Sequence, residues 1–438
     1  MSLNSHARLD GWFAVPGQDP RPLQSGCNAL LDGRSVSDHF ADGLPAEAAD
    51  LFEIAARVYA IDRLVRRPSE RAATAGVSWA RSLWARLPVR DPALWTAHTD
   101  LLAWLTDDTW RLEFSQLPDG AGPLDKSQRS LFDLVPEGAT PVLFSGGLDS
   151  AAGLAAHLTG SDAVAVSVAT NGLMRHVQQG VLGCLRDVSP NKCMSMSYRV
   201  SAGGGSVEAS QRSRGLLFLS AGTATAWALH QDHFQVCENG IGAINLPYLR
   251  SQFGSQATRS MHPRTLLLME RLAKAVSARP FRIDAPALTA TKAQLIVRAP
   301  AAARVALAST VSCDTGFSAR LPDHPPCGTC TSCLLRRQAL HAAGRADLDA
   351  QAPYRCRTPD RGFEWQAMRW QVTRLEECLG QPDPWTGLVR EFPEILDTAP
   401  LATADIVSLY RSYVQEWEGL EGTSLVTGQH GLRGGAAL

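Results

Sequence analysis

The sequence predicts an α/β protein built on a doubly wound parallel sheet, and three observations carry that prediction. From about residue 138, short apolar runs alternate with helical patterns, as in a parallel sheet covered on both faces. The first of these runs ends in Ser145-Gly146-Gly147-Leu148-Asp149-Ser150, a glycine turn between a buried strand and a helix start. A tight cysteine run, Cys327, Cys330 and Cys333, with Cys313 fourteen residues earlier, marks a metal-binding segment appended to the sheet.

Taken in order, residues 1–44 are punctuated by Gly and Pro, with one strand expected at 9–15. Residues 46–66 place Leu51, Ile54, Ala55, Val58, Tyr59 and Val65 at helical spacing, which predicts an amphipathic helix. Between Val77 and Val89 the odd positions Val77, Trp79, Leu83, Ala85, Leu87 and Val89 alternate with mostly polar ones, which predicts a half-buried strand. Asp91-Pro92 supplies a cap and a first-turn proline for a helix to Leu105, and 110–114 is a further strand. This α+β stretch closes in a loop at 118–123 and carries no chemical motif. Its tryptophans are assigned to the core.

The expected sheet strands are 141–144, 163–169, 194–200 and 234–237, with helices between them, one at 216–230. The glycines of 201–206 suit a flexible insertion. After residue 340 the pattern is helical, at 363–379 and 403–420. In the second of these, Ile406, Leu409, Tyr410, Tyr413, Val414 and Trp417 form one apolar stripe, suited to core packing or domain docking. Five segments follow: an accessory α+β domain at 1–137, the sheet domain at 138–300, a zinc-binding segment at 301–355, C-terminal helices at 356–421 and a disordered tail at 422–438.

Composition narrows the function. The chain has 438 residues, 45% hydrophobic and 19% charged, which suits ordinary globular cores. Its net charge of -1 and the lack of a long Lys/Arg run argue against direct nucleic-acid binding. No apolar stretch is long enough for a bilayer span and no secretory h-region is evident, so a cytoplasmic protein without membrane contact is expected. Ten cysteines in such a chain favour metal binding in a reducing compartment over disulfides.

The turn after the first strand is suited to phosphate. A strand, a glycine turn and a helix N-terminus aim backbone N–H groups at one point, and Ser145 and Ser150 add hydroxyls. No Gly-Lys-Ser/Thr follows, so it is not a Walker loop. The four thiolates of Cys313, Cys327, Cys330 and Cys333 suit tetrahedral structural Zn²⁺, with an iron–sulfur cluster as the rival. His324 could replace one cysteine but fits a surface loop better.

The Ser-Gly-Gly-Leu-Asp-Ser turn resembles the PP-loop of the N-type ATP pyrophosphatases, whose fold is adenine nucleotide alpha-hydrolase-like. Joined to the cysteines, it resembles the 7-cyano-7-deazaguanine synthase (QueC) family over residues 138–355. Ser312-Cys313 precedes Cys327-Gly328-Thr329-Cys330-Thr331-Ser332-Cys333 and Arg336, as in that family. Ser213-Arg214-Gly215 resembles its Gly-Arg-Asn without the Asn, and Thr291-Lys292-Ala293-Gln294 resembles its Thr-Lys-x-Glu with Gln for Glu. The chain is about twice the family's length. It has Glu238-Asn239-Gly240 and Asn245-Leu246-Pro247 where the synthase has an Asp-rich segment, and then a stretch from Thr258 to Arg264. In these features it is similar to the long QueC-like proteins of the Qat and type IV CBASS anti-phage operons.

The resemblance implies ATP with Mg²⁺, adenylation of 7-carboxy-7-deazaguanine and release of pyrophosphate. Ser145, Gly146, Gly147, Leu148, Asp149 and Ser150 would hold ATP. Asp149, Lys292 and Arg214 would be catalytic, with Asp149 orienting Mg²⁺ or the loop and the two cations on the α-phosphate. Glu238, Asn239, His262 and Arg264 would line the substrate or acceptor pocket. The operon resemblance further implies transfer to the N-terminal amine, a glycine's, of a partner protein. The alternatives are a housekeeping synthase that makes the free nitrile, a PP-loop tRNA thiolase, and an inactive nucleotide-binding scaffold.

Overall fold

The computed structural model describes residues 7–24, 30–32, 40, 43–68, 79–95, 100–125, 135–202, 206–248, 258–314, 325–352, 354–356 and 362–420. The expected tail at 422–438, His324 and the glycines at 203–205 lie outside them.

The N-terminal region contributes β1 (Ala7–Arg8), β2 (Trp12–Ala14), β3 (Arg21–Pro22), β4 (Leu30–Asp32), α1 (Ala46–Leu64), β5 (Ser82–Val89), α2 (Asp100–Thr106) and β6 (Thr109–Gln116). The strand expected at 9–15 is broken at Gly11, whose φ of +131° sends β1 and β2 into different sheets. In β5 the alternation holds: Leu83, Ala85, Leu87 and Val89 are buried. β5 pairs in parallel with β6 from Ser82 opposite Thr109 to Val89 opposite Gln116, within a four-stranded sheet ordered β3-β2-β5-β6. The helix expected from residue 91 begins as a 3₁₀ turn at Pro92–Trp95, and α2 follows.

The second sheet holds the site. Its elements are β7 (Thr140–Leu143), α3 (Leu148–His157), β8 (Ala163–Ala169), α4 (Gly172–Val188), β9 (Cys193–Ser201), α5 (Arg214–Ala228), β10 (His233–Gln235), α6 (Gly240–Ile244), α7 (Pro263–Ser277) and β11 (Arg282–Asp284). Five parallel strands lie in the order β9-β8-β7-β10-β11, and β4 and β1 extend the β9 edge antiparallel. Residues from the N-terminal region therefore belong to this sheet as well. β11 is a three-residue strand, too short for periodicity to reveal.

Both faces are covered. Val164, Val166 and Val168 of β8 enter a core shared with α1, α5 and α7. Ala163 and Ala165 face the opposite core, with α3, α4 and the later helices α8 (Lys292–Arg298), α9 (Arg304–Ala308) and α10 (Thr331–Ala342). This is why β8 is almost wholly apolar: alternate residues go to two buried cores. After α11 (Ala346–Gln351) come α12 (Phe363–Leu379), α13 (Pro384–Glu391) and α14 (Thr403–Glu418), which pack together on α6 and α10 in a third cluster. The stripe expected on α14 is buried in that cluster.

One helix departs from expectation. α1 is not an amphipathic surface helix; every residue from Ala48 to Asp62 is buried. Its charged side chains are paired instead of solvated. Glu53 meets Arg57 at 3.2 Å and Arg90 at 3.0 Å, and Asp50 meets Arg90 at 2.7 Å. Asp62 meets Arg81 and also accepts from the backbone N–H of Ser213 at 3.2 Å and its hydroxyl at 2.6 Å. Arg81 and Arg67 converge in turn on buried Asp108, at 2.6 and 2.7 Å. The network spans β5, β6, α1 and the entry to α5, so it fixes the N-terminal region against the large sheet.

Removing Asp108 leaves two buried guanidinium groups without their shared anion. Asp108→Ala should therefore lower unfolding free energy by about 3–5 kcal/mol in denaturant titration. Surface pairs such as Arg86–Glu113 should contribute under about 1 kcal/mol when broken.

Candidate active site

The strand order turns back between β7 and β10, and in open parallel sheets ligands bind at the carboxyl edge of such a switch point. The Ser145–Ser150 turn follows β7 and Glu238-Asn239 follows β10, so the two stand on either side of it. In the turn, Gly146 has φ +82°, a conformation that favours glycine, and a Cβ there would stand 3.1 Å from Gln178 Cγ. Gln178 Nε2 donates to the Ser145 carbonyl at 3.3 Å. The two serines brace the turn: Ser150 Oγ accepts from Ser145 N at 3.2 Å and donates to the Gly147 carbonyl at 3.0 Å. Gly147 then caps α3, leaving the helix N-terminus open toward the edge.

Asp149, in the first turn of α3, joins the two sides. Its Oδ1 accepts from Lys292 Nζ at 2.6 Å and its Oδ2 from Asn239 Nδ2 at 2.7 Å. All three side chains are buried. Burial works to raise the Asp149 pKa, but the Lys292 charge and hydrogen bonds from Glu238, Lys292 and Asn239 outweigh it and hold the carboxyl below its usual range. Glu238 shifts the other way. Burial first, then the Asp149 charge, push it well above the usual carboxylate range.

Local sequence explains these placements. Asn239 caps α6, its Oδ1 accepting from Gly242 N at 3.0 Å. Lys292 is the first residue of α8, behind a capping box in which Gln294 N donates to Thr291 Oγ1 at 3.1 Å and Thr291 N to Gln294 Oε1 at 3.0 Å. Glu or Gln can close such a box, so Gln294 fills a structural place and is not aimed at the reacting centre.

Beyond this contact lies a cavity of about 400 Å³. Glu238, Asn239 and Lys292 form one wall, the Asn245–Tyr248 loop a second, and Ser312, Asp314, Thr331 and Ser332 of the cysteine segment a third. The remaining sequence-derived candidates do not line it. His262 caps α7, its Nδ1 accepting from Arg264 N at 3.2 Å, and burial lowers its pKa to about 4, so it is neutral. Arg264 pairs with Asp397 and stacks 4.4 Å from the Trp104 ring. Arg214 opens α5, where burial lowers its pKa, and lies over the Phe218 ring at 5.3 Å. Asp314, Ser312 and Ser332 were missed by sequence reasoning; their adjacency to Cys313 and Cys333 was the available signal.

The sulfurs of Cys313, Cys327, Cys330 and Cys333 lie within 4.8 Å of one another. Cys313 and Cys327 are 3.6 Å apart, and Cys327 and Cys333 3.9 Å. Four thiolates about 2.3 Å from a tetrahedral Zn²⁺ would be about 3.8 Å apart, so the set fits zinc. Backbone N–H groups of Thr329 and Cys330 point at Cys327 Sγ at 3.5 and 3.3 Å, as a turn wrapped on a thiolate requires. Gly328 has φ +84°, and a Cβ there would fall 2.3 Å from the Cys356 carbonyl oxygen. The segment is also tied to the phosphate turn, Val311 N donating to the Gly146 carbonyl at 3.4 Å.

Residues 212–344 match the family model described as Queuosine biosynthesis protein QueC. The match supports a QueC-like family for that stretch. Such a family points to an ATP-using enzyme. The matched stretch includes Glu238, Asn239, Lys292 and the four cysteines, and it begins after the Ser145–Ser150 turn. No curated protein matches the chain. No described helix is long and apolar enough to cross a membrane.

Metal analysis of the purified chain should find one tightly held zinc. Cys→Ala at any of the four positions should release it and lower the melting temperature, because binding free energy of a closed site is folding free energy. Cys184→Ala, outside the cluster, should do neither. Iron with a visible chromophore would reassign the metal.

Proposed function

We propose that this chain adenylates 7-carboxy-7-deazaguanine with ATP, releases pyrophosphate and passes the acyl group to an amine, the N-terminal amine of a partner protein in an anti-phage system. The observation that carries the chemistry is the buried Asp149–Lys292 contact, 2.6 Å, which joins a phosphate-type turn to a cavity of small-molecule size. The QueC match supports the substrate class.

In this reading the backbone of Ser145, Gly146, Gly147, Leu148 and Ser150 receives the terminal phosphates at the N-terminus of α3. Mg²⁺, arriving with ATP, screens phosphate charge. The substrate carboxylate lies in the cavity beside Lys292. A carboxylate oxygen attacks the α-phosphorus, and the bond to pyrophosphate breaks with its electron pair leaving on pyrophosphate. Lys292 stabilises the charge that builds on the α-phosphate oxygens. Asp149 aims that ammonium, its two carboxylate oxygens being engaged by Lys292 and Asn239. The amine then attacks the acyl carbon, AMP departs with the electron pair of the C–O bond, and the amine's proton goes to solvent.

The lining of the cavity supports an acceptor that enters as an extended chain end. Its described walls come from the sheet edge, the cysteine segment and a loop braced by the C-terminal helices. A glycine at the acceptor's first position would pass most easily. The protein's nearly neutral charge gives no support to a tRNA substrate.

Purified protein with ATP, Mg²⁺ and the carboxylate should release pyrophosphate, and Lys292→Ala should slow release by about 10²–10³-fold. With the operon-encoded partner added, intact-mass measurement should show one deazaguanine acyl group on its first residue. Efficient conversion to the free nitrile with ammonia, and an unmodified partner, would instead establish the housekeeping reaction. Normal pyrophosphate release by Lys292→Ala would remove the lysine from the chemistry.

A further inference from the structure

Lys292 is held from two directions. Asp149 holds its ammonium group, and the cap of α8 holds its backbone. That cap is itself anchored from far along the chain. Thr291, fully buried, donates its hydroxyl to Glu416 Oε1 on α14 while accepting from Gln294 N. The other oxygen of Glu416 accepts from Gln338 Nε2 of α10 at 3.0 Å. One carboxylate thus ties the helix that begins with Lys292 to the helix that carries Cys333. Glu416 sits beside Trp417 of the apolar stripe, so packing of α14 on α6 and α10 fixes where its carboxylate falls. It also lies 72 residues beyond the end of the QueC match at residue 344.

We propose that Glu416 is a positioning residue for Lys292, which makes the C-terminal helical layer part of the active-site architecture. The layer also supports the other side of the cavity: Gln371 Nε2 donates to the carbonyls of Leu246 and Pro247, at 2.8 and 3.1 Å, in the loop that lines it. The contact acts through Thr291. With its hydroxyl anchored to Glu416, the residue can turn only its lone pairs to Gln294 N, so the first turn of α8 keeps one register. Without the anchor the hydroxyl can rotate, the cap loosens and the lysine backbone shifts against a carboxylate that does not move with it.

The inference rests on the adenylation reading for its activity arm and on geometry alone for a second arm. In the activity arm, carboxylate-dependent ATP–pyrophosphate exchange is measured for the full chain, Glu416→Ala and Glu416→Gln. Glu416→Ala should lower kcat by about 10–100-fold with the ATP KM within about twofold, the size of effect expected when a reacting group is misplaced. Glu416→Gln should keep most of the rate. Its amide oxygen can accept from Thr291, and once the Gln338 amide flips to present Oε1 in place of Nε2, its amide N–H can donate to that oxygen, which has no partner among the described residues. In the second arm, amide hydrogen exchange should quicken in Lys292–Arg298 for Glu416→Ala and stay slow for Glu416→Gln, with α12 unchanged in both.

Equal loss in both variants, loss in neither, or a rise in KM with kcat intact would overturn the proposal. If the unmodified chain shows no exchange with the carboxylate, the functional reading falls, and the hydrogen-exchange arm still decides whether Glu416 sets the lysine helix.

Discussion

The contact between Asp149 and Lys292 is the constraint on which the site depends. It places a cation and a carboxylate out of water, where each alone would be costly and each makes the other tolerable. Asn239 completes the arrangement by taking the second carboxylate oxygen. These three residues follow three different strands of the sheet, β7, β10 and β11. Their meeting requires the order β7-β10 at the centre, with the turn after β7, the cap of α6 after β10 and the start of α8 converging on one edge. The local choices all serve this convergence: Gly146 for a left-handed turn, Asn239 as a cap that also reaches across, and a capping box behind the lysine.

Much of this was legible in the chain. The strands at 163–169 and 194–200, the glycine turn before α3, the gathering of the cysteines and the stripe on α14 all follow from period, spacing or ligand chemistry. The same physics explains the misses. α1 has charges at intervals that a solvated face would show, and only the positions of Arg57, Arg81, Arg90 and Ser213 turn those charges inward. β11 is too short to display a period. His262 and Arg264 sat in a suggestive run, yet one is consumed by a helix cap and the other by Trp104 and Asp397. Periodicity measures a residue's relation to its neighbours in sequence, whereas most of these outcomes depend on tertiary partners, such as Arg90 for Asp50, Ser213 for Asp62 and Asp397 for Arg264.

The parts outside the matched stretch are integrated by polar contacts as well as by apolar burial. At the N-terminal side, Asp62 holds the Ser213 backbone and hydroxyl, which fixes the residue before Arg214 and the entry to α5. Trp104 donates to Thr265 Oγ1 at 2.9 Å and stacks between Arg259 and Arg264, so α2 is latched to α7. At the C-terminal side, Gln371 and Glu416 reach the cavity loop and the lysine helix. Apolar packing is tolerant of small slides. Buried hydrogen bonds to a backbone carbonyl or a helix cap are not, because a slide leaves a desolvated group without its partner. The regions outside the matched stretch would in this way transmit position to the candidate site, through residues that carry no catalytic signature of their own.

The same logic relates the cysteine segment to the cavity. Ser312, Asp314, Thr331 and Ser332 line one wall, and each is adjacent to a cysteine or one residue removed from one. Ser332 Oγ donates to Asp314 at 2.7 Å across the cluster. Without a metal, four thiols have little reason to gather. With one, the backbone on both sides of each sulfur is fixed to within the tolerance of a metal–sulfur bond. A structural ion at this place would set the shape of a polar wall that the short segment holds with little apolar burial, since among the described residues its own cluster is Cys313, Cys327, Cys333, Ala352 and Tyr354 with partly buried neighbours. The metal site, though closed to substrate, is thus built into the cavity, just as α14 is built into the lysine's helix. The candidate site brings together a turn, a lysine and a carboxylate; the fold around them keeps those three from drifting apart.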